Sequence, residues 1–130
     1  MPVKREFIEN GRVVYMVFSD PWRADEMSVG YDDVLRAYEE SPGKVHSLVD
    51  LTHARRIPEG IFRLRSLPGW KHPKSGDVII FGASAFAEVM IQALKRLLGY
   101  GNIHVFKTEA EARAFLAQKL NAPSTPSQEG

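Results

Sequence analysis

Val13 to Ser19 reads VVYMVFS, seven residues with hardly a polar side chain. A strand with one wet face alternates apolar and polar positions. A run that is apolar almost throughout is covered on both faces. A chain carrying such a strand must lay other elements over both sides of a sheet, which points to a layered α/β domain.

The neighbouring segments agree. Glu9-Asn10-Gly11-Arg12 separates REFIE from this run, and Asn-Gly readily takes the positive φ values of a hairpin turn. Tyr31, Val34, Leu35 and Tyr38 fall at i, i+3, i+4 and i+7, one stripe of an amphipathic helix that Ser41-Pro42-Gly43 ends. Val45–Leu51 is the next strand. A short helix is expected around Gly60–Leu67, between Pro58 and Pro68-Gly69. Val78–Gly82, VIIFG, is a central strand. Ser84 then caps a helix to about Leu98, with Phe86, Met90, Ala93, Leu94 and Leu97 expected on its inner face and Gly99 as its stop. Ile103–Phe106 is the last strand. Thr108 and Glu111 form a capping box for a final helix that buries Ala112, Phe115, Leu116 and Leu120. The expected order is β-β-α-β-α-β-α-β-α: one domain over residues 1–120, with a mixed sheet of four to five strands and flanking helices. Crossovers through helices favour parallel pairing, and the hairpin adds an antiparallel strand. Residues 121–130, rich in Pro and Ser, read as a disordered tail.

Composition narrows the function. At 130 residues the chain is long enough to bury a core without staples, and it has no cysteine, so disulfides and thiolate metal sites are excluded. No stretch approaches the roughly 20 apolar residues of a membrane span, and the charged start MPVKREFIENG is not a signal peptide. A cytoplasmic location is the expectation. A net charge of +1 argues against nucleic acid as a partner. The charge is unevenly placed, however. Asp20, Asp25, Glu26, Asp32, Asp33, Glu39 and Glu40 crowd one segment, while Arg55, Arg56, Arg63, Arg65, Lys71 and Lys74 crowd another.

Element order and three stretches carry a family resemblance. These are Leu48-Val49-Asp50-Leu51-Thr52 at a strand end, Asp77-Val78-Ile79-Ile80-Phe81-Gly82 in the next strand, and His104-Val105-Phe106-Lys107-Thr108-Glu109-Ala110-Glu111-Ala112 at the close. Over roughly Arg5–Leu120 the chain resembles the STAS family, which includes bacterial anti-sigma-factor antagonists and has a related STAS/SEC14-like group. The resemblance implies a small domain that binds a protein or a small ligand and performs no catalysis. Antagonist members carry a phosphorylated serine in an Asp-Ser-Ser-Gly-like motif. Counted from Asp50-Leu51-Thr52, that window holds Pro58-Glu59-Gly60-Ile61, with no hydroxyl, so the phosphoacceptor does not carry over.

The candidate binding residues are Arg55, Arg56, Phe62, Arg63, Arg65, Trp70 and Lys71, with Ser84 at a strand–helix junction. The first group follows a strand's carboxyl end, where open α/β sheets usually bind ligands, and arginine's planar fork fits carboxylate or phosphate. Phe62 and Trp70 add apolar surface for a protein partner or an apolar ligand. A solvated helix face is the plainer account of the same charges, core packing of the aromatics, and a simple N-cap of Ser84. Ile57–Trp70, bordered by Pro and Gly, is also a candidate mobile lid. The histidines His46, His53, His72 and His104 show no metal-ligand spacing, so neither a metal nor any cofactor is expected. Two other classes stay open: a small hydrolase- or transferase-like enzyme using Asp50, His53 and Ser84, with Ser47 or Thr52 as other nucleophile candidates, and a structural homodimer.

Overall fold

The computed structural model describes residues 3–23, 26, 31–54, 73–99 and 102–121. These form β1 (Val3–Ile8), β2 (Val13–Ser19), α1 (Tyr31–Glu40), β3 (Val45–His53), β4 (Ser75–Phe81), α2 (Ala85–Leu98), β5 (Ile103–Phe106) and α3 (Glu109–Asn121). The helix expected around Gly60–Leu67 lies outside the described residues. So does the expected tail from residue 122 on, whereas Asn121 closes α3.

The strands form a single five-stranded sheet in the order β1-β2-β3-β4-β5. The β1–β2 pair is antiparallel and the other three pairs are parallel. The domain is α/β with a mixed sheet, as the apolar runs require. The β1–β2 turn differs in detail from the Asn-Gly expectation. Its positive-φ run starts one residue earlier, with φ of 53° at Glu9, 58° at Asn10 and 82° at Gly11. The N–H of Gly11 closes the turn onto the carbonyl of Ile8 at 3.1 Å.

The two sheet faces carry separate cores. One gathers Val14, Met16, Phe18, Val49, Leu51 and Ile80 under Val34 and Tyr38 of α1, with Ile91 of α2 packed against it. The other gathers Val13, Leu48, Ile79 and Phe81 under Ala112 and Leu116 of α3. A sheet that grows strand by strand through right-handed crossovers keeps its connecting helices on one side. This explains why α1 and α2 share a face. α3 follows the last strand, so it is available to cover the other face. Leu48 and Ile79 are fully buried at the centre, worth about 1.5–3 kcal/mol each in transfer terms. Trp22 is core as well, edge-to-face with Phe18 at 4.6 Å.

Local signals explain the helix ends. Ser84 Oγ accepts the Ala87 N–H at 3.2 Å, and Gly99 stops α2 at φ 64°. Thr108 Oγ1 accepts the Glu111 N–H at 3.2 Å while the Glu111 carboxylate accepts the Thr108 N–H at 3.3 Å, the reciprocal box expected before α3. Lys74, the one base of the basic segment that is described, donates from Nζ to the carbonyl of Glu39 at 3.3 Å and to that of Ser41. It neutralises the carboxyl end of α1, where cations are favoured.

One expectation fails. Phe86 and Leu97 do not line the inner face of α2: they are 61% and 56% exposed, and Ala93 is exposed too. Ala87, Ile91 and Leu94 face the sheet instead. The helix is apolar on two arcs, and the sheet takes the arc with small Ala87, which lets the helix approach closely.

Candidate functional site

At the carboxyl edge of the parallel strands, the ends at Leu51 and Gly82 lie side by side, since Asp50 is paired with Phe81. Gly82 is held at φ 78°, and a Cβ there would meet Thr52 Oγ1 at 2.5 Å and Thr52 N at 2.9 Å. The chain therefore presses directly against β3 before turning into α2. Ser84 Oγ serves as the acceptor of the helix cap. Asp50 Oδ1 accepts the Thr52 N–H at 2.8 Å, a bond within its own strand. His53 is exposed, and its carbonyl accepts the Asp20 N–H at 3.0 Å. The hydrogen bonds seen for Asp50 and Ser84 are thus structural, and neither runs to His53. Arg55, Arg56, Phe62, Arg63, Arg65, Trp70 and Lys71 lie outside the described residues, as does the candidate lid Ile57–Trp70.

From this edge α2 carries Phe86, Val89, Ala93 and Leu97 along one side, three of them large and more than half exposed, with Val89 at 66%. Their spacing of three, four and four residues makes one continuous stripe. It starts two residues after the extended N-cap Ser84, beside the strand ends of β3 and β4. Phe86, Ala93 and Leu97 carry a core-like spacing in the sequence, because periodicity marks a stripe without saying which side the sheet takes.

The amino edge of the same strands is polar. His46, Asp77 and His104 stand near the starts of β3, β4 and β5, each in the phase that faces α3. His104 Nε2 and Asp77 Oδ1 are 2.9 Å apart, and Lys119 Nζ of α3 is 3.8 Å from Asp77 Oδ2. Phe115 lies against the His104 ring at 4.5 Å and beneath Lys119 at 5.2 Å. Arg12 donates to the carbonyl of Leu120 at 3.2 Å, tying the turn before β2 to the last turn of α3. Among the described residues, no group of His, Asp and Glu is arranged to hold a metal ion.

His46 has an unusual task in this cluster. The β3–β4 register passes from Val45↔Ser75 to Ser47↔Val78, so His46 alone opposes both Gly76 and Asp77, a β-bulge. The Asp77 N–H donates to His46 Nδ1 at 3.0 Å, so the ring closes the ladder across the extra residue. Gly76 makes room for it: a Cβ there would stand 2.5 Å from Nδ1 and 2.9 Å from the carbonyl of Val45. Burial pushes the His46 pKa down, Asp77 opposing and Arg12, Lys119 and Lys44 assisting. In the sequence, His46 and His104 read as strand residues, and no motif marks Asp77 as their partner. The available signal was the shared alternation phase near three successive strand starts.

A half-open groove of about 420 Å³ runs between the β1–β2 turn and α1. Phe7 and Ala37 line it together with Asp33, Arg36 and Glu40, and Asp33 pairs with Arg36 at 3.2 Å. That lining is too charged for a lipid-like ligand. No helix among the described residues is long and apolar enough to cross a membrane. In comparison with known proteins, no family model, no curated protein and no solved structure matched the chain.

Proposed function

We propose that the chain is a non-enzymatic, STAS-like interaction module that binds a protein partner through the carboxyl-edge side of its sheet and the outward stripe of α2. The reading rests on one observation: Phe86, Val89 and Leu97 are each more than half exposed on one helix side. Large apolar groups gathered on one surface mark contact sites more often than single scattered ones do. In sequence, the arginine- and aromatic-rich stretch from Arg55 to Lys71 follows the end of β3, the strand beside which α2 begins. The local uses of Asp50 and Ser84 favour binding over catalysis.

A photo-crosslinking residue at position 89, compared with one at position 113 on the opposite sheet face, tests this in the native cell. A discrete adduct from 89, absent from 113 and lost on Phe86→Glu with Leu97→Glu, supports the reading. Its mass distinguishes a second copy of the chain from another protein. Adducts of equal yield from both positions, or none from 89, would contradict it. If the basic stretch shares the surface, Arg55→Glu with Arg56→Glu weakens the same adduct.

A further inference from the structure

We propose that His46 is an acid-operated latch: a proton added at Nδ1 removes the acceptor that closes the β3–β4 ladder and opens the amino edge of the sheet beneath the end of α3. This inference rests on the amino edge alone and is independent of the contact surface proposed for α2.

The geometry sets the protonation state. Nδ1 accepts the Asp77 N–H, so the ring is neutral and its proton sits on Nε2. The side chain is only 8% exposed and Gly76 lies against it, so the ring has little room to turn away. Once Nδ1 carries a proton, two N–H donors face each other across 3.0 Å. The Nδ1 proton can point towards Asp77 Oδ2, 3.6 Å away, but the backbone N–H of Asp77 is then left without its acceptor at a part-buried bulge. A buried donor without a partner is among the costliest local defects.

Every element around the ring takes part. β4 presents Asp77, which among the described residues is the group that favours a charged His46. Its carboxylate is already engaged by His104 of β5 at 2.9 Å and faces Lys119 of α3 at 3.8 Å. Arg12 from the turn before β2, Lys44 before β3 and Lys119 from α3 all oppose the charge, and burial opposes it most. The folded chain therefore takes up this proton at lower pH than the unfolded chain. The neutral ring's stabilisation is present above the ordinary histidine value of about 6.5. It is lost as pH falls through that value towards the lower one of the folded state. The bond released joins the starts of β3 and β4 beside the last turn of α3, so opening is confined to this edge while the two apolar cores remain.

The test is amide hydrogen exchange by NMR at about pH 7.5 and about pH 5.5, corrected for the intrinsic rate. In the wild type, protection at Asp77 is expected to fall by up to about tenfold at the lower pH, beginning as pH drops below the ordinary histidine value of about 6.5. His46→Asn keeps an acceptor at the same branch point and cannot titrate, so its protection should hold steady. Equal wild-type protection at both pH values would overturn the proposal, and so would an equal loss in His46→Asn. Should the variant fail to fold, the wild type alone decides: protection at Asp77 that stays level as pH drops below about 6.5, or a ring protonated at Nδ1 near neutral pH, refutes the latch.

Discussion

At the amino edge of the parallel strands, side chains complete the sheet: His46 supplies a ladder acceptor, Asp77 joins it to His104 and Lys119, and Arg12 fastens the end of α3. At the carboxyl edge a close chain approach, Gly82 pressed on Thr52, and the Ser84 helix cap do this work, and the apolar stripe of α2 is exposed. A polar cluster facing α3 and an apolar stripe facing outward reverse the usual placement of such groups. The lesson is that inward polarity here is structural, the charges of the cluster bonding one another, while the outward apolar groups of α2 are exposed among the described residues.

Substitutions should separate the two edges by size and by kind of effect. The largest loss is expected from Gly76→Ala. Its Cβ collides with a buried ring and with backbone, for about 2–3 kcal/mol in denaturant unfolding, and it should also expose the Asp77 N–H to exchange. Gly82→Ala should cost about 1–3 kcal/mol through strain at φ 78° and contact with Thr52, without disturbing Asp77. If both variants raise Asp77 exchange equally, the edges are not independent. Ser84→Ala should cost about 1 kcal/mol, the ordinary worth of an N-cap. A much larger loss would give the serine a task beyond the cap.

Much of this architecture is legible in the residues because the signals are short-range. The apolar run at Val13–Ser19 requires two covered faces, Thr108 with Glu111 and Ser84 mark helix starts, and Gly99 marks a stop. Two features escape for physical reasons. α2 offers two apolar arcs, Phe86–Ala93–Leu97 and Ala87–Ile91–Leu94, and periodicity cannot choose between them; close packing through Ala87 does. The His46–Asp77 junction escapes because a bulge is a property of register. Ser75-Gly76-Asp77 looks too polar to begin a strand, and the Asp77 N–H is aimed at His46 only once β3 and β4 are paired. The residues chosen from composition, Arg55 to Lys71, lie outside the described residues. Of the candidate binding residues only Ser84 is seen, and it serves as a cap.

The outward stripe of α2 is the point on which the account turns, and the unfolding free energy of Phe86→Ser with Leu97→Ser measures it most directly. Side chains already exposed to this degree have little burial to lose, so stability should stay within about 0.5 kcal/mol of the wild type. A loss of about 3 kcal/mol or more would mean that both residues belong to the core, as their spacing alone suggests, and the contact surface would be gone.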